Sequence, residues 1–151
     1  MLPFEDFKRV VRDTPLISID LVIADESGRV LVGRRLNDPA RGFWFVPGGR
    51  VNKNESLDEA FGRLTRVEIG QELSRSSAKF LGVYEHFYDV DFTGDDSLSG
   101  THYVVLAYQV ELNSNDLSLP LDEQHDGYRW IGRSELDDTV HHNTRVYFDA
   151  I

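Results

Sequence analysis

Phe4, Phe7, Val10 and Val11 recur at helical spacing, with Glu5, Asp6, Lys8 and Arg9 on the other faces, which predicts a short amphipathic helix ending near Thr14-Pro15. Its aromatic face is expected to cover the core or a second subunit. Leu16 to Ala24 is rich in β-branched residues, and Asp25-Glu26-Ser27-Gly28 separates it from a second apolar run, Val30 to Gly33. That pattern predicts a β-hairpin. Alternation puts Ile17, Ile19, Leu21 and Ile23 on one face, while Ser18 and Asp20 interrupt the other. An acid in mid-strand needs water, a ligand that donates hydrogen bonds to it, or an arginine to orient. Phe43 to Val46 is an apolar run expected to pack in the core.

From Ser56 the period changes from two to near four. Ser56 with Glu59 makes a capping box, no proline intervenes, and Gly70 supplies a stop, so a helix is predicted over about residues 56 to 69. Leu57, Phe61, Leu64 and Glu68 fall along one face, with Ala60 and Val67 at its margin. A carboxylate beside an apolar stripe must be paired, neutralised or bound to metal. Just upstream, Pro47-Gly48-Gly49 allows a tight turn whose bare carbonyls can serve a hard cation.

Further on, Phe80 to Tyr88 and Thr101 to Leu112 read as strands, joined by a polar stretch, 89 to 100, with the character of a lid or connector. His86 is expected on a sheet face, and His102 and Tyr103 on opposite sides of their strand. Asn113 to Pro120 is a polar connector, and 122 to 127 an acidic turn before a short strand, Tyr128 to Ile131. Ser134 with Asp137 opens a helical turn, and Asn143 to Ile151 carries a closing helix.

The chain has 151 residues, which favours one domain, and 26 acids against 16 bases, which argues against nonspecific nucleic-acid binding. An anionic ligand therefore needs a local basic pocket. Arg29, Arg34, Arg35, Arg41 and Arg50 supply one candidate, interrupted only by Asp38. Arg34 and Arg35 point to opposite faces, so one can enter a pocket and grip phosphate oxygens bidentately. The chain has no cysteine, no signal-peptide pattern and no long apolar run, which together favour a cytoplasmic protein with no membrane span.

Gly49, five residues, Glu55, seven residues, Arg63, then Glu68 and Gly70 resemble the Nudix box, GX5EX7REUXEEXGU. Leu64 stands where the pattern has its first acid after arginine, Val67 replaces one of the paired glutamates, and Thr65 and Gln71 replace aliphatics. This degenerate box is similar to that of the GDP-mannose mannosyl hydrolase branch, as are PARGFWFVPGGRV, HFYD, THYVVL and DEQHDGYRW, so the resemblance covers nearly the whole chain.

The resemblance implies an α/β fold: a Nudix-type α/β/α sandwich with a mixed sheet, the box helix on one side and the terminal helices on the other. It implies one magnesium ion, replaceable by manganese, held by the Gly48 carbonyl, Glu68 and Gln124. It implies GDP-hexose as substrate, with Arg35, Arg50 and Tyr103 on the leaving diphosphate, and a homodimer; Asp20, from its place in mid-strand, joins them as a candidate substrate contact. With two box acids missing, a base must come from elsewhere, and His125, flanked by Asp126 and near Glu123, is the strongest candidate. The expected reaction is water attack at the anomeric carbon with inversion. A conventional Nudix pyrophosphohydrolase and a noncatalytic nucleotide-sugar sensor are the alternatives.

Overall fold

The computed structural model describes residues 2–95, 100–117 and 125–151, with Asp116, His125 and Asp126 described by backbone alone. Helix α1 spans Phe4–Asp13 and ends where Thr14 turns extended, its N–H and its hydroxyl both reaching the Val10 carbonyl. Strand β1 (Leu16–Ala24) pairs in parallel with β6 (Thr101–Glu111) along its whole length, and β6 pairs antiparallel with β5 (Lys79–Tyr88).

The predicted hairpin forms. The turn is closed by Asp25, whose carboxylate accepts from Ser27 N at 2.9 Å and Arg29 N at 2.8 Å. Yet β1 and β2 (Val30–Arg35) keep register only at Ala24↔Val30, and then they part. β4 (Gly48–Arg50) takes over the edge of β1, while β2 continues between β3 (Trp44–Phe45) and β7 (His125–Ile131). The sheet is therefore forked, and the chain from Phe45 to Gly48 crosses from one branch to the other.

Each face of the sheet carries its own core. On one, Ile19, Leu21 and Ile23 pack with Phe61, Leu64 and Ile69 of the box helix α2 (Leu57–Ile69). On the other, Val22, Val32 and Ala107 pack with Val140, Tyr147 and Phe148 of the C-terminal segment. The mixed sheet between helices is the expected architecture. The helix start is capped reciprocally: Ser56 Oγ accepts from Glu59 N at 3.1 Å, and the Glu59 carboxylate accepts from Ser56 N at 3.2 Å.

Four local expectations are corrected. Ile17 shares the alternation of the core face but is 50% exposed, because α2 does not extend over that end of β1. Val67 is solvent-facing, and Thr65 is buried instead, its hydroxyl donating to Gly62 O and accepting from Leu73 N. The acidic run before Tyr128 is not all turn, since β7 already begins at His125 in register with β2. The closing helix is short, α3 (His142–Arg145) passing into a 3-10 turn over Val146–Asp149, and Ser134 lies in another 3-10 turn, Arg133–Glu135. Among the described residues no helix is long and apolar enough to cross a membrane.

Candidate active site

The fork creates a cleft of about 570 Å³, lined by residues from both branches and from the loops around them. Its floor follows from strand chemistry. Leu21 N donates to Pro47 O and Val51 N to Ile17 O, each at 2.8 Å. Bonded pairs alternate in an antiparallel ladder, so Gly48 and Arg50 turn their backbone groups to the outer edge of β4. A side chain at Gly48 would run into the Ile19 carbonyl oxygen and stand 2.8 Å from Asp20 Oδ1, which explains the glycine.

Arg35, Arg50, Tyr103 and Asp20, the residues singled out in the sequence, all line this cleft. Arg35 reaches it from the end of β2, where the pairing with β7 shifts register between Gly33 and Arg35, and its Nε–H donates to Pro39 O at 2.9 Å. Arg34 is exposed. Arg50 is opposite Ser18, and its guanidinium carbon lies 4.6 Å from the centre of the Phe7 ring, a cation–π contact. Tyr103, on β6, is pushed up in pKa by burial, against the pull of Arg35 and Arg50, so its hydroxyl stays protonated as a donor.

Asp20 is 8% exposed, which rules out a solvated strand face. Burial pushes its carboxyl up to about 7, opposed by a hydrogen bond from Tyr147 and by the charge of Arg35. Tyr147 Oη donates to Asp20 Oδ2 at 2.6 Å and lies 3.5 Å from His86 Nε2. Burial pushes both His86 and His141 down to about 4, so the corner contains two neutral imidazoles. Tyr88 accepts from Asn143 Nδ2 at 3.2 Å, and His141 stacks on Phe45 at 4.9 Å.

Sequence reasoning missed most of this corner. His86 was visible as a sheet-face residue, and its register opposite Tyr103 places it in the cleft. His141 and Tyr147 gave no such signal, because their partners lie far away along the chain. Phe4, Phe45 and Phe92 also line the cleft, Phe45 while packing in the core as expected.

The implied metal ligands can be tested against the fold. The outward carbonyl of Arg50 accepts from Arg63 at 2.8 Å, and the Gly48 carbonyl faces the same way roughly 7 Å back along β4. Glu68, five residues further along α2, is buried at 3% exposure. Arg63 is itself fixed by Glu55, at 2.7 and 2.9 Å, which leaves Glu59 to the helix cap. Among the described residues no three His, Asp or Glu side chains gather around one point. One carboxylate and one main-chain oxygen fit a single hard cation completed by ligand oxygens and water. Gln124 lies outside the described residues. The backbone of His125 pairs with Arg35, while its side chain lies outside them too.

A family model described as the NUDIX domain matches residues 14–150. The chain is 45% identical over 125 residues to the low-salt glycan biosynthesis protein Agl8 of Haloferax volcanii, spanning 82% of this chain and 75% of that protein. It is 29% identical over 144 residues to the RNA pyrophosphohydrolase of Caulobacter vibrioides, spanning 89% and 81%. Among solved structures it is similar to a MutT NUDIX hydrolase from Burkholderia pseudomallei, with a TM-score of 0.74, 26% identity and coverage of 92% and 99%. A MutT protein from Methanosarcina mazei shares the fold at a TM-score of 0.68 with 23% identity, over 91% and 93% of the two chains.

Proposed function

The chain belongs to the Nudix family of hydrolases, and on that premise we propose that it hydrolyses a GDP-hexose, GDP-mannose first and GDP-glucose second, to GDP and the free sugar. The observation that carries this reading is the convergence of Arg35, Arg50, Tyr103 and Asp20, from different strands, on one cleft floored by Gly48. The similarity to a protein named for glycan biosynthesis supports a sugar-bearing substrate.

In this reading Arg35 and Arg50 hold the diphosphate oxygens, and the protonated Tyr103 hydroxyl donates to another. Nudix hydrolases generally use divalent metals such as magnesium. The Gly48 carbonyl, Glu68 and Gln124 would hold such an ion, which would supply positive charge to the departing diphosphate. His125 takes a proton from water as the oxygen bonds to the anomeric carbon, and the C–O bond to GDP breaks on the opposite face. The sugar emerges inverted. Asp20 accepts hydrogen bonds from the substrate through Oδ1, with Oδ2 held by Tyr147.

The second reading is phosphorus attack, favoured by the similarity to an RNA pyrophosphohydrolase. Hydrolysis in oxygen-18 water separates the two. Label in the hexose supports carbon attack, whereas label in GMP or a sugar phosphate overturns it. Tight binding without turnover at any magnesium concentration points to a sensor instead. On the carbon-attack reading, His125→Ala loses about two to four orders of magnitude in rate while keeping metal binding, and Glu68→Ala loses both.

A further inference from the structure

The cleft has two kinds of wall. Asp20, Arg35 and Tyr103 form a polar one, matched to phosphate and hydroxyl groups, while Phe4 and Phe92 form an aromatic one. Helix α1, which supplies Phe4, lies before the span matched by the family model. It buries only Val11 fully, yet its Phe4 lines the cleft. Phe4 meets Phe92 edge-on at 5.4 Å, Phe7 meets Phe92 at 4.9 Å, and Phe7 also lies under the Arg50 guanidinium at 4.6 Å. Lys8 pairs with Asp95 at 3.5 Å, so the helix is tied to the 91–95 turn that bears Phe92.

Phe4 remains 56% exposed despite lining the cleft. Core packing does not account for that, since the residue keeps more than half of its surface in water. In a nucleotide sugar the base is the one planar aromatic part, whereas hexose and diphosphate require the polar wall. Resting on the reading that the substrate is a nucleotide, we infer that α1 is a specificity element and that Phe4, braced by Phe92, stacks the nucleobase. Phe7 serves the same element differently, holding the Arg50 guanidinium beside the aromatic wall so that base and phosphate are gripped by adjoining groups.

The test uses binding of GDP and of inorganic pyrophosphate by calorimetry in the presence of magnesium. Pyrophosphate shares the phosphate contacts and lacks the base. Phe4→Ala is expected to weaken GDP binding about ten-fold, within the range of base–aromatic stacking, and to move pyrophosphate binding less than about two-fold. Phe4→Tyr should restore GDP affinity, while Phe4→Leu, which keeps apolar bulk without a ring, should not. Equal losses for both ligands, unchanged GDP affinity in Phe4→Ala, or full rescue by leucine would overturn the inference. The measurement involves no bond cleavage, so a phosphorus-attack result in oxygen-18 water leaves it standing.

Discussion

Asp20, His86 and His141 share one corner of the cleft, and their titrations oppose one another. The imidazoles are held at about 4 against an ordinary 6.5, so folding favours their neutral forms. The stability they contribute is full above pH 6.5 and is lost as pH falls toward 4. Asp20, raised from 3.8 to about 7, acts the other way: its contribution is full below 3.8 and is lost as pH rises through 7. Between pH 6.5 and 4 two groups therefore oppose one, and acidification destabilises the fold. Asp20→Asn removes the opposing group, so the loss between pH 6.5 and about 4.5 should grow by about 2 kcal/mol. Urea denaturation of both proteins at the two pH values checks it, and an unchanged difference would contradict the assigned shift. Asp20 was legible because an acid in mid-strand demands a partner. That the partner is Tyr147 was not, since no local pattern links a β1 acid to a C-terminal tyrosine.

At the scale of elements, the box helix and the β4 glycines form one unit. Its helix was readable because capping, apolar spacing and a glycine stop act within a few residues of one another. The glycines were expected in a tight turn but lie in strand β4, paired with β1, and their different reasons appear only in the packing. A Cβ at Gly49 would come within 2.5 Å of the Leu64 Cδ2 atom, the far end of a flexible side chain, whereas at Gly48 it would strike the β1 backbone. Gly49→Ala should therefore cost about 1 kcal/mol and Gly48→Ala about 3 kcal/mol or more, since the strand cannot yield as a rotamer can. Thermal and chemical denaturation of the two variants measure that order. Reversed costs would mean that β4 is not held against β1 as described. The break of the closing helix and the early start of β7 were hidden for a related reason, because tertiary pairing set those boundaries rather than local propensity.

On the scale of the whole molecule, a chain of net charge −10 presents two arginines, Arg35 and Arg50, to a cleft that Asp20 and Asp38 also line. The isoelectric point of about 4.8 falls inside the pH interval in which the imidazoles lower stability. Loss of net repulsion and loss of folding free energy coincide there, so turbidity on titration from neutral pH should peak near 4.8. Light scattering followed alongside tryptophan fluorescence would show it, and a clear solution through that point would argue against the coincidence. The layer order was foreseen from the family resemblance, while the strand and helix patterns supplied most of the elements. The fork was not, because nothing in β1 or β2 alone announces that they separate after a single registered pair.

That fork gives the short crossing between Phe45 and Gly48 an influence out of proportion to its length. Strand side chains alternate, so one amino acid inserted there would rotate all that follows in β4 by half a turn and deliver Arg50 to the wrong surface. In that bridge the unit of tolerated change is two residues or none.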